Sequence, residues 1–94
     1  MSTNHDVRVG QIWADNDPRI PTRSPRLLRV ERIDENGSTQ HGHPHAECVL
    51  VERLTDGAGR PSGWARKSTR VSRIRLGRFK PTQTGYRLVE DVQP

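Results

Sequence analysis

The chain has 94 residues and a mass of 10.7 kDa, which leaves room for a single domain with a small core. Hydrophobic residues make up 30% of it and charged residues 29%, a balance that excludes a large interior cavity and argues against an enclosed active site. Lysine and arginine number 16 against 11 acidic residues, and the resulting charge of +5 indicates polyanions or acidic proteins as partners.

The first elements are a frayed terminus, a strand and a long loop. Residues 1–6 are polar and are predicted to be a disordered N-terminus, so the single domain is expected to span residues 7–92. Residues 7–14 predict a first strand with a bulge at Gly10. The segment that follows is rich in aspartate and proline. It is predicted to be a long loop, because Asx side chains cap turns and prolines prevent regular strand pairing.

The middle of the chain predicts two strands. Residues 26–34 favour a strand over a short helix because Pro25 precedes them and Asn36-Gly37 follows them. Residues 46–54 hold the most β-branched run of the chain, apolar on both faces, and are predicted to form the central strand.

The last third of the chain predicts a flexible hairpin tip and two more strands. Residues 55–67 hold three glycines and a proline, with Trp64 either exposed or folded back as a lid. Residues 68–76 alternate, with Ile74 and Leu76 inward; a tight turn then places Phe79 in the core, and residues 86–92 form the last strand. Five short strands without a convincing helix predict an all-β fold, a small five-stranded SH3-like or Tudor-like barrel with a long Asp/Pro-rich loop after the first strand.

Two resemblances follow from short motifs. The chain resembles small uncharacterised proteins of actinobacteria and their bacteriophages in three motifs. These are Gly-Gln-x-Trp from Gly10, Asp-Pro-Arg from Asp17 and Arg-Phe-x-Pro-Thr-x-x-Gly-Tyr from Arg78. That resemblance covers most of the chain except residues 40–45 and 55–67; it implies a source class and brings no activity or site residues. Residues 10–13 with Asp17-Pro18 also resemble PemK/MazF-type toxins, which implies an SH3-like fold. A toxin-like ribonuclease would use Arg26 or Arg29, but no serine or threonine fills its second role.

The leading functional hypothesis is nucleic-acid binding through an arginine-rich strand and turn. The stretch from Arg66 to Lys80 contains no acidic residue, and cations at about 7 Å spacing along a strand match successive phosphates. The candidate contacts in this stretch are Arg66, Lys67, Arg70, Arg73, Arg75, Arg78 and Lys80. Arg26 and Arg29 extend the patch if they lie beside it. The competing interpretation is a solvated strand face whose arginines pair with Glu31, Glu47 and Glu52.

A second hypothesis is a protein-interaction module, such as a phage factor that docks on an acidic host protein. Its candidate contacts are Trp64, Asp15, Asp17 and Arg19. Exposed edge strands leave both a monomer and a homodimer open.

The histidine and cysteine residues predict no metal site, no cofactor and no enzyme. His41, His43, His45 and Cys48 have the composition of a ligand cluster, but no second ligand pair occurs elsewhere to complete it. Cys48 lies among aliphatic residues, which predicts a buried side chain rather than a nucleophile. The single cysteine and the absence of a long apolar run predict a cytoplasmic protein without a membrane partner.

Overall fold

The computed structural model describes residues 7–20, 25–35, 44–82 and 85–92, and it confirms the predicted all-β fold. The strands are β1 (Ile12–Asp15), β2 (Leu27–Asp34), β3 (His45–Thr55), β4 (Pro61–Arg75) and β5 (Tyr86–Glu90), with a 3₁₀ turn at Leu76–Arg78. They form one antiparallel sheet in the order β4-β3-β2-β1-β5. Within these ranges no helix has the length and apolar character needed to cross a bilayer. The predicted disordered residues 1–6 and the histidines at 41 and 43 lie outside the described residues.

Two of the predicted strand positions are corrected. The first strand begins at Ile12 rather than at residue 7, because Val9 and Gly10 form a turn in which Gly10 adopts a φ of 98°. The middle position of the sheet belongs to β2, and β3 lies between β2 and β4. A central position in the sheet is therefore not the reason why β3 is apolar on both faces. The reason is that Ala46 and Cys48 enter one core cluster, while Val49 and Val51 enter another.

The predicted flexible tip at residues 55–67 is shorter than expected. Only residues 56–60 connect β3 to β4, since the ladder continues to the pair Thr55 and Pro61. The Asp56 carboxylate accepts hydrogen bonds from the backbone N–H groups of Ala58 and Arg60 at 2.8 and 3.0 Å, which caps the turn. Pro61 and Gly63, beyond the turn, therefore belong to a strand, whereas Gly57 and Gly59 lie in the turn itself.

The core consists of two clusters on opposite faces of the sheet. The first core cluster contains Trp13, Leu28, Val30, Ala46, Cys48, Ile74, Phe79 and Tyr86. Phe79 occupies it as predicted, with ring centroids 5.0 Å from Trp13 and 5.6 Å from Tyr86. The second core cluster contains Ile12, Val49 and Val51, against which Leu27, Trp64 and Val89 pack. Neighbouring residues such as Ile12 and Trp13 enter different clusters because side chains alternate along a strand.

The strand order places β4 and β5 at the two edges of the sheet. A side-chain contact connects these edges: the Trp64 indole N–H donates to the Glu90 carboxylate at 3.1 Å. The all-β prediction therefore holds, while closure into an SH3-like barrel stays a prediction. Trp64 folds back onto the second core cluster, which is the second of the two orientations the sequence left open.

The Gly-Gln-x-Trp motif has a structural role. Gln11 is buried, and its side-chain carbonyl accepts hydrogen bonds from the Arg8 backbone N–H at 2.8 Å and from the Trp13 indole N–H at 3.1 Å. Its amide donates to Asp91 at 2.8 Å, which ties the start of the domain to its end. A Cβ at Gly10 would lie 2.8 Å from a Val92 methyl group, so glycine permits this close approach. The motif therefore joins the two ends of the domain.

Candidate nucleic-acid interface

The register of the sheet places five arginines on one face. Residues paired across an antiparallel ladder share a face, and alternate residues along a strand do so too. The β3 partners of these arginines are His45, Glu47, Val49 and Val51, which alternate along β3 and so lie on the same face. The arginines are Arg29 and Arg32 on β2 and Arg66, Arg73 and Arg75 on β4. Ile74, between the last two, is buried in the first core cluster on the opposite face.

Two glutamates are each shared by two of these arginines. The Glu31 carboxylate pairs with Arg29 at 2.7 Å and with Arg66 at 3.2 Å. The hydrogen bond from Arg29 is the main cause that lowers the pKa of Glu31, and burial opposes it. We call Arg29, Glu31 and Arg66 the first triplet.

The second triplet contains Arg32, Glu47 and Arg73. Glu47 pairs with Arg32 at 2.8 Å and with Arg73 at 3.8 Å. Each triplet therefore carries two positive charges against one negative charge. Because the two β4 arginines are about half exposed, these pairs are weak and the surplus charge faces solvent. The competing interpretation from the sequence is thus realised for Glu31 and Glu47, but the face keeps a positive excess.

A large bulge interrupts β4 and corrects the predicted regular alternation at the start of the strand at residues 68–76. Arg66 pairs with Val51 and Val71 pairs with Val49, so the four residues 67–70 lie opposite the single residue Leu50. The Ser68 hydroxyl accepts a hydrogen bond from the Arg70 backbone N–H at 3.0 Å and stabilises the bulge. Bulges of this kind redirect side chains away from the regular alternation of a strand. The sequence did not indicate it, because nothing in Lys67-Ser68-Thr69-Arg70 breaks a strand pattern.

Lys67, Arg70 and Arg75 add cations that no carboxylate of the described residues neutralises. Within the part of the chain that the structure describes, none of the three lies within ion-pair distance of an acidic group, and all are exposed. Together with the arginines of the two triplets they form what we call the basic surface. Its members are Arg29, Arg32, Arg66, Lys67, Arg70, Arg73 and Arg75.

The remaining candidate cations lie around this surface. Arg26 lines a groove of about 310 Å³ together with Lys67, so it lies beside the bulge, as the sequence hypothesis required. Arg78 lies over the Tyr86 ring at 5.7 Å and lines a second groove with Arg75. Lys80 is exposed in the turn after β4. Arg32 is a cation that the sequence hypothesis missed; its position opposite Glu47 depends on a register shift in β2 between Val30 and Arg32.

The residues proposed for protein contact have partners within the domain. The Asp15 carboxylate caps the backbone N–H of Asp17 at 3.0 Å. Asp17 in turn pairs with the Arg19 guanidinium at 2.8 Å and accepts a hydrogen bond from the Arg19 backbone N–H at 2.9 Å; the guanidinium first, and then the backbone N–H, lower the pKa of Asp17 to about 2. Trp64 is half-buried beneath the Arg53 guanidinium, 4.3 Å from the ring centroid. These contacts stabilise turns and the second core cluster.

His45 and Cys48 lie inside the sheet. Both are buried, and the described residues contain no cluster of three or more His, Cys, Asp or Glu side chains able to hold a metal ion. Burial is the main cause that raises the pKa of the Cys48 thiol to about 12, and the charges of Glu31 and Glu47 raise it further. The thiolate that a nucleophile requires is therefore strongly disfavoured near neutral pH.

We expect Cys48 to resist alkylation in the folded protein. An unfolded chain loses the thiol proton near pH 9 and the folded chain near pH 12, so this group's contribution to stability is complete below pH 9 and is lost as pH rises between these values. Iodoacetamide labelling at pH 8, followed by mass spectrometry, should be slow in buffer and fast in urea. Equal rates in the two conditions would contradict the burial of Cys48.

Comparisons with protein-family models, with curated proteins and with solved structures find no match to this chain.

Proposed function

We propose that this protein binds nucleic acid through the basic surface. The observation that carries the proposal is the arrangement of the two triplets, in which four arginines share two glutamates on one face of the sheet. Arginine recognises phosphate through two parallel N–H groups, and a guanidinium already oriented by a neighbouring carboxylate loses less conformational freedom on binding. Lys67, Arg70 and Arg75 add charge without competition from an acidic group of the described residues.

The spacing of the cations supports the same proposal. Arg73 and Arg75 are two residues apart on one strand, and side chains at this separation project from the same face at about 7 Å. Arg32 adds a third guanidinium across Glu47. An array of this size is compatible with several phosphate contacts, which give affinity without sequence preference.

The test is a salt-dependent binding titration. Fluorescence anisotropy with labelled mixed-sequence single-stranded DNA, duplex DNA and RNA should show binding at about 50 mM salt that weakens steeply by about 200 mM. The logarithm of the affinity should fall linearly with the logarithm of the salt concentration, because each phosphate contact releases condensed counterions. If none of the three ligands binds at low salt, the proposal is wrong.

A further inference from the structure

We infer that the preferred ligand is a single-stranded nucleic acid, DNA or RNA, whose bases enter two grooves beside the basic surface. This inference rests on the proposed function and specifies its ligand. The two grooves lie at the bulge and at the C-terminal end of β4, and each combines an apolar wall with two cations.

The first groove lies at the bulge. Pro25, Leu27, Leu50 and Val51 provide its apolar wall, and the cations Arg26 and Lys67 line it as well. Neither cation has an ion pair within the described ranges of the chain. Ser68 and Thr69 follow Lys67 within the bulge, and their hydroxyl groups can donate hydrogen bonds to a phosphate.

The second groove lies at the end of β4 and has a volume of about 430 Å³. Pro44, Leu76 and Gly77 line it, with Arg75 and Arg78 as its cations. Leu76 here and Leu50 in the first groove both pack against the first core cluster. The chain from Lys67 to Arg75 connects the two grooves, and at about 3.3 Å per residue it spans less than about 26 Å, a distance that a few nucleotides can follow.

Apolar walls beside cations favour a single strand over a duplex for a physical reason. A duplex stacks and pairs its bases internally, so it presents phosphates and the polar edges of its grooves. A single strand exposes the flat faces of its bases, which lose unfavourable contact with water when they lie against apolar or aromatic side chains. Phosphates on either side of such a base would then meet the cations at the groove.

The test compares ligands of equal length with the wild-type protein; the intact and abasic single strands also carry equal charge. Anisotropy titrations at one salt concentration would use a single-stranded oligonucleotide, the same oligonucleotide with abasic sites throughout, and the corresponding duplex. We expect the intact single strand to bind roughly tenfold more tightly than the abasic strand, since base contacts are lost in the latter. Equal affinity for intact and abasic strands, or tighter binding of the duplex, would overturn the inference while leaving the proposed function intact. Failure of all three ligands to bind would refute the proposed function itself.

A pair of leucine variants locates the base contact. Leu50→Asn removes an apolar wall of the first groove and should reduce the ratio of intact to abasic affinity severalfold without changing abasic binding. Leu54→Asn is the matched control, because Leu54 is 42% exposed on β3 and lines neither groove. Circular dichroism would verify the fold of both variants, and Leu76→Asn in the second groove replaces Leu50→Asn if the latter does not fold. An unchanged ratio in a folded groove variant, with the same ratio in the control, would place the bases outside that groove.

Discussion

Replacing Gly85 with alanine should destabilise the domain by at least about 3 kcal/mol, because the new methyl group would collide with backbone atoms. A Cβ at this position would lie 2.1 Å from the Lys80 carbonyl oxygen and 2.8 Å from that of Arg78. The Lys80 carbonyl cannot withdraw easily, since it accepts hydrogen bonds from the backbone N–H groups of Thr82 and Tyr86 at 2.8 and 2.9 Å. A small shift of the Lys80 carbonyl therefore cannot relieve the clash, and we expect the turn to be disrupted.

The damage should spread beyond the turn. The Gly85 carbonyl accepts a hydrogen bond from the Asn16 backbone N–H at 3.1 Å, and the Asn16 side chain donates to the Thr82 carbonyl at 3.0 Å. The same turn positions Phe79 and Tyr86 in the first core cluster. Displacing it would loosen both the loop after β1 and the packing of the aromatic rings.

Thermal unfolding followed by circular dichroism measures the effect of Gly85→Ala. A loss of about 3 kcal/mol corresponds to a fall in Tm of roughly 12 °C or more for a domain of this size. Gly57→Ala is the matched control, because a Cβ at Gly57 has no atom within 4 Å and its φ is not positive. That variant should change stability by less than about 1 kcal/mol. Similar melting temperatures for the two variants would show that the turn at Gly85 is not packed as described.

Removing the unneutralised cations should abolish most of the binding to nucleic acid. The variant Lys67→Gln, Arg70→Gln, Arg75→Gln keeps both triplets but removes the three basic-surface cations that have no carboxylate partner among the described residues. If each contacts one phosphate, the slope of log affinity against log salt should decrease in magnitude by about 2 to 3, and affinity at low salt should fall about a hundredfold or more. All three side chains are exposed, so stability should change little.

The control for this variant must lose the same charge elsewhere. Arg8→Gln, Arg19→Gln, Arg87→Gln removes three exposed arginines from the parts of the chain around β1 and β5. General attraction by net charge would weaken binding equally in the two triple variants, whereas a localised site would weaken it mainly in the first. Anisotropy titrations over the same salt range decide between these results. Equal losses would contradict the assignment of the contact to β4.

Several features of the fold follow from local sequence signals. The strands, the turn before Tyr86 and the burial of Phe79 and Cys48 were predictable because alternation of apolar residues and turn-forming residues act over a few neighbours. The bulge at residues 67–70 was not predictable, since it depends on how β4 pairs with β3 on either side of Leu50. The position of β2 at the middle of the sheet likewise depends on strand order, which local patterns do not encode.

For the candidate site, the amino-acid sequence already shows that the stretch from Arg66 to Lys80 is basic and lacks acidic residues. Which of these charges are neutralised depends on the fold, because Glu31 and Glu47 reach Arg66 and Arg73 from neighbouring strands. The fold also places Arg26 beside Lys67, although 40 other residues separate them in the chain. The density of charged residues along a chain is a local property of the sequence. The excess positive charge that faces a ligand depends instead on contacts between strands, because the register of the sheet sets which residues form ion pairs.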